Sequence, residues 1–272
     1  MLTCPWTTGE LRRLSHQIRD ETPAGTNHPS YAEVMGWYNE LAAVVQRRIA
    51  ELNWPPLLID RPFEVTSRPK TMDTLRQKLQ RDHGTPLQNV QDIAGVRFEA
   101  EMSLDEQDAV VTAICGVFDH DPGVCVRDMR EQSHSGYRGV HIWLRLPARV
   151  EVQVRTHLQG LWANTYESAA DLFGRGIRYN ELPQDETERK IVVGLRQMST
   201  LRIARIEKDR NEIASIDLGL EDLERAGITE IPDDVRIRLD RLKARGQSNE
   251  QRLQEDLTKL WKYFDQMRDQ RG

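Results

Sequence analysis

The sequence predicts an α+β protein, and three observations carry that prediction. Apolar residues from Tyr31 to Leu52 recur at helical spacing. From about Leu57 to Thr156 short β-rich runs alternate with helical ones, and from His157 onward the pattern is helical to the end. Charged residues are 30% and hydrophobic residues 38% of the 272, which suits a chain with long exposed helices.

Each element has its own signal. Thr7 to Glu10 forms a capping box, and the helix from Tyr31 to Leu52 stops before Pro55-Pro56. Strands are expected at Ala94 to Phe98, Val124 to Met129, Val140 to Leu146 and Val150 to Val154. Ser103 to Glu106 caps a helix carrying Val110, Val111, Ile114 and Val117. Near the end, Leu253, Leu257, Leu260, Phe264 and Met267 alternate steps of four and three, a stripe that docks either on its own core or on a partner. The expected organisation is N-terminal helices over 1–56, an α+β core over 57–180 and a helical extension over 181–272.

Several classes are disfavoured. A formal charge of −5 argues against wholesale coating of nucleic acid. Cys4, Cys115 and Cys125 lack metal-ligand spacing and are expected as reduced thiols, two of them filling core space. No apolar run approaches the roughly 18 residues of a membrane span, and MLTCPWTTGELRRL lacks a signal peptide's apolar stretch. The expected location is the cytoplasm.

The chemistry-bearing residues concentrate in the middle third. Lys70, Thr74, Lys78 and Arg81 fall at steps of four, four and three and are expected to line one helix face, with Met72, Leu75 and Leu79 opposite and Arg68 just ahead. Such a row can neutralise a triphosphate, or it can be an ordinary solvated face. In Arg149 to Arg155 the valines point one way and Glu151, Gln153 and Arg155 the other, either as working groups or as the wet side of an edge strand. Asp92, placed in the loop before the Ala94 run, supplies a second carboxylate. Two carboxylates from separate strands suit Mg²⁺ when phosphate oxygens and water complete its shell. Tyr137, Gly139 and His141 share a strand face, and glycines around Tyr137 leave its ring open for a base to stack on.

In order, Arg68-x-Lys70 before a basic helix, Asp92-x-x-Gly95-x-Arg97, Gly136-Tyr137-Arg138-x-x-His141, Glu151-x-Gln153-x-Arg155-Thr156 and Trp162-Ala163 resemble the synthetase motifs of the RelA/SpoT alarmone family. The match runs from about Pro62 to Tyr179, with no hydrolase His-Asp pair before it, and so resembles the small single-function synthetases. The resemblance implies a nucleotidyltransferase-like mixed sheet with flanking helices and transfer of pyrophosphate from ATP to a 3′-hydroxyl. It implies that Arg68, Lys70, Thr74, Lys78, Arg81 and Arg97 hold the ATP phosphates and that Asp92 and Glu151 bind Mg²⁺. Glu151 and Gln153 would orient or deprotonate the attacking hydroxyl, and Tyr137, His141 and Arg155 would hold the acceptor.

Departures fall on the acceptor side. Ser133 stands where the family often has Lys, Gly139 replaces a usual Ser, and the Glu-His pair expected after Trp162-Ala163 is missing. Arg175 and Arg178 are the candidates to supply a replacement cation. Three readings follow: a (p)ppGpp synthetase using ATP and a guanosine nucleotide, a toxin-like relative acting on an adenosine nucleotide or the 3′ end of tRNA, and a degenerate binding module. A homo-oligomer or protein partner through the C-terminal helices is compatible with each; a membrane partner is not expected.

Overall fold

The computed structural model describes residues 2–23, 25, 27–59, 61–131, 135–228 and 232–271, without the side chains of Arg68, Pro69 and residues 269–271. The chain divides into two compact units. The first comprises 1–100, 109–128 and 140–154, and the second 101–108, 129–139 and 155–272.

In the first unit, capping boxes start both N-terminal helices, α1 (Thr8–Asp20) and α2 (Tyr31–Ala50), where Thr7 pairs reciprocally with Glu10 and Ser30 with Glu33. Pro55-Pro56 end the run as expected and open a single turn, α3 (Pro55–Leu58). A five-stranded mixed sheet follows in the order β1-β2-β5-β4-β3, built from β1 (Phe63–Pro69), β2 (Ala94–Ala100), β3 (Val126–Asp128), β4 (Val140–Arg145) and β5 (Arg149–Thr156). Helix α2 covers β1 and β2. Gln46 donates to the Val65 carbonyl at 2.8 Å, and Trp54 packs on Phe98 with ring centres 4.8 Å apart. Val96, Phe98, Ile142, Leu144, Val150, Val152 and Val154 are fully buried on their strands.

Two expectations need correction here. β1 lies where Ser67 and Arg68 were expected to lead directly into a helix; that helix, α4 (Met72–Arg81), starts only after Thr71 caps it. The Val124 to Met129 run is half helical, because Asp121 caps Gly123 and Pro122 suits a first helical position, giving the turn α6 (Pro122–Cys125) before β3. Helix α5 (Leu104–Val117) keeps its Ser103–Glu106 cap. Cys115 and Cys125 are free and buried, and burial together with the Cys125 thiol pushes the Cys115 thiol up to about 12, leaving it protonated and inert.

The second unit is helical: α7 (His157–Phe173), α8 (Glu186–Gln197), α9 (Ala204–Arg225) and α10 (Asp233–Arg271). Helices α8 and α9 form one rod through a six-residue π-helical segment, Met198–Ile203, whose flanking residues keep helical dihedrals. The C-terminal stripe docks on its own core, with Leu253, Leu257 and Phe264 buried against Trp162, Tyr166 and Ala170 of α7. Helix α10 returns antiparallel along α9, with Arg210 on Glu250 at 2.7 Å and Lys243 on Asp217 at 3.0 Å. Among the described residues no helix is long and apolar enough to cross a membrane.

Candidate functional site

Antiparallel pairing of Pro69 with Ala94 carries the chain past β1 directly beside the loop before β2, bringing Lys70 to Asp92. Lys70 Nζ donates to Asp92 Oδ2 at 2.6 Å, and Lys78 Nζ donates to Oδ1 at 2.8 Å. Lys78 reaches inward because its neighbours Leu75 and Leu79 anchor α4 in the core. The four-residue row expected on one face is thus rearranged. Lys70 precedes the helix, the Thr74 hydroxyl donates to the Thr71 carbonyl at 2.9 Å, and Arg81 is exposed with Asp82 3.6 Å away. Met72, expected in the core, is 38% exposed: it shares the helical phase of Leu75 and Leu79 but stands at the first position of α4, where the stripe runs out. Arg97 lies on the half-buried face of β2, opposite Thr66 of β1. The Arg68 side chain and Ser133 lie outside the described residues.

The second carboxylate stands on β5, a central strand rather than an edge, so its polar face is largely enclosed. His141 of β4 sits opposite Gln153 in the register, which places it diagonally from Glu151 on the same face. His141 Nδ1 lies 3.2 Å from Glu151 Oε1, and Gln153 Nε2 donates to Oε2 at 2.8 Å. His141, expected toward the acceptor, is therefore engaged by Glu151 in this state. Gln91, which had drawn no notice in the sequence, donates to the Val150 carbonyl at 2.9 Å. That bond ties the residue before Asp92 to the residue before Glu151, and the Asp92 charge is felt at Glu151.

Burial pushes both carboxyls up, but the opposing groups win. Lys70 and Lys78 hold Asp92 below its ordinary value, and His141 and Gln153 do the same for Glu151 against burial and the Asp92 charge. A carboxylate with a depressed folded pKa contributes stability that is present above its unfolded value of about 4 and lost as the pH falls through the folded value. The stability gap between wild type and Asp92→Asn should therefore be widest near neutrality and close as the pH drops below about 4. Urea midpoints of both proteins between neutral and acidic pH measure this, and a gap independent of pH refutes it.

In the second unit, Tyr137 and Arg155 form a pair. Arg155 Nε donates to the Tyr137 hydroxyl at 3.1 Å, and the guanidinium lies over the ring, 5.1 Å from its centre. The glycines around Tyr137 allow close packing rather than open space. Gly136 adopts φ +88°, and a Cβ there would meet the Arg196 Cα and Trp162 ring at 3.1 Å. A Cβ on Gly139 would stand 2.9 Å from the Tyr137 hydroxyl. One ring face is thus covered by Arg155. Trp162 of the Trp-Ala motif is core, its indole N–H donating to the Leu195 carbonyl at 2.7 Å. Arg178 pairs with Glu167 and, at 3.7 Å, with Asp171; Arg175 lies 3.8 Å from Asp171. Both replacement cations are therefore paired to α7.

Residues 67–171 match the family described as the region found in RelA / SpoT proteins. An uncharacterized protein of Mycobacterium tuberculosis is 43% identical over 220 residues, covering 78% of this chain and 79% of its own length. Among solved structures, small alarmone synthetase 1 of Bacillus subtilis bound to its product pppGpp aligns over 68% of this chain and 96% of its own, with 21% identity and a TM-score of 0.52. A protein of Streptococcus mutans aligns over 74% and 100%, with 20% identity and a TM-score of 0.52. At these identities the structural likeness establishes the fold.

Proposed function

Because the chain belongs to the RelA/SpoT family, we propose that it transfers the β,γ-pyrophosphate of ATP to the 3′-hydroxyl of a guanosine nucleotide, making (p)ppGpp. The observation that carries this reading is the convergence of two cations on Asp92 beside the enclosed Glu151. Phosphoryl chemistry depends on positioning and on neutralising charge at the transferred group, and these residue types do both.

Asp92 and Glu151 are oxygen donors of the kind Mg²⁺ takes, and each carboxylate oxygen keeps a second lone pair beyond its present partner. When bound, the metal would supply charge neutralisation at the phosphates. The two carboxylates and two ammonium groups balance one another here, so Asp92 and Glu151 would hold a dication best once phosphates draw the lysines away. Lys70 and Lys78 then exchange Asp92 for phosphate oxygens. Arg68, Thr74, Arg81 and Arg97 complete the donor-side set. The acceptor O3′–Pβ bond forms as the bond from Pβ to the α,β-bridging oxygen breaks, and AMP leaves. Glu151, ionised at neutral pH, accepts the hydroxyl proton while Gln153 holds the carboxylate in place. Tyr137, partly buried against the α7 cluster, offers the exposed part of its ring to the acceptor base, with Arg155 near acceptor phosphate.

The test is purified protein with ATP labelled in the β and γ phosphates, Mg²⁺, and separate pools of GDP, GTP, ADP and tRNA. Label is expected in the guanosine products. Label confined to ADP or tRNA overturns the acceptor, and label in no pool overturns the enzymatic reading.

A further inference from the structure

Glu207 of α9 lies beyond the 67–171 family region, yet its buried carboxylate gathers residues from that region. Oε2 accepts from Arg138 at 2.7 Å, and Oε1 accepts from the Thr156 hydroxyl at 2.8 Å and the Gln159 amide at 2.7 Å. Arg138 is the neighbour of Tyr137, and Thr156 is the neighbour of Arg155. One carboxylate therefore grips the residue beside each member of the aromatic–guanidinium pair. The grip is braced behind: Gln159 accepts from the Thr156 backbone at 3.1 Å and from Gln107 at 2.9 Å, and Arg138 donates to the Arg130 carbonyl.

The arrangement is not what stability alone favours. Taking a carboxylate and a guanidinium out of water carries a desolvation cost, and apolar residues of similar volume commonly serve as well. The Arg138 Nε is buried without a hydrogen-bond partner, so the guanidinium is oriented by its two ends. What the ions add over an apolar core is direction: Arg138 and Thr156 adjoin Tyr137 and Arg155, so holding the first two at one carboxylate fixes the backbone that carries the pair.

We propose that Glu207 is a positioning residue for acceptor recognition, acting through Arg138 and Thr156 on the Tyr137–Arg155 pair. The proposal rests on the functional reading above, and its test separates the two. Glu207→Gln turns one carboxylate oxygen into a donor facing donors, and it is expected to raise the acceptor KM about tenfold while the ATP KM stays within about twofold. In a cycle with Tyr137→Ala, adding Glu207→Gln to the tyrosine variant should raise the acceptor KM little further. Both KM values rising together, an unchanged acceptor KM, or additive effects in the cycle each overturn the proposal. If wild-type protein labels no acceptor, hydrogen exchange of the full chain decides. Faster exchange confined to 135–141 and 154–160 in Glu207→Gln supports the clamp, and unchanged or uniformly faster exchange overturns it.

Discussion

Glu151→Gln is expected to lower turnover by about 10²-fold or more, with ATP binding retained. The substitution keeps the side chain's length but removes the charge and leaves an amide beside Gln153 and His141, both of which now face a carboxylate. A neutral amide neither takes the proton of the attacking hydroxyl nor offers a hard anionic oxygen to a metal. Initial rates at saturating ATP and acceptor measure the loss, with ATP affinity determined separately by titration. Near-full turnover in the variant removes Glu151 from the chemistry and leaves it as the enclosed partner of His141.

Tyr137→Ala is expected to raise the acceptor KM tenfold or more with the ATP KM almost unchanged, because stacking of a base on an aromatic ring is worth roughly 1–3 kcal/mol. The close packing of Gly136 and Gly139 sharpens the test. Since Arg155 covers one ring face and bonds the hydroxyl, Tyr137→Phe separates the ring from the hydrogen bond. Phe should retain most of the acceptor affinity if stacking dominates. If Phe is as poor as Ala, the hydroxyl's hold on Arg155 is the property that matters and the stacking assignment fails.

Local periodicity made much of the fold legible. The capping box at Thr7, the Ser103 cap and the alternation of β5 need only near neighbours in sequence, and each appears as expected. β1 is hidden because Pro62 and Pro69 bracket it and a basic helical pattern begins just behind it, so two periods compete over the same residues. Position on a helix face also fails where the helix starts later than the pattern suggests, which is why Lys70 leaves the row and Met72 leaves the core. The carboxylates, lysines and His141 are recognisable by residue type, but their pairing is set by strand register. Glu207 carries no local signal; its partners lie 48 to 69 positions earlier in the chain.

The π-helical segment Met198–Ile203 sets where the second unit can take up a change of length and where it cannot. A wide turn holds one residue more than a regular one, so it acts as a phase shifter between α8 and α9. Removing a single residue from the wide turn itself would be absorbed as that turn closes to ordinary winding, whereas removing one just after it would rotate every later side chain by about 100° relative to α8. Glu207 and Asp209 begin just downstream, and both would be turned away from their arginine partners. Side chains at 198–203 can vary as far as their own packing allows, but a one-residue deletion just after them would unset the angular address of a carboxylate on which two motifs converge.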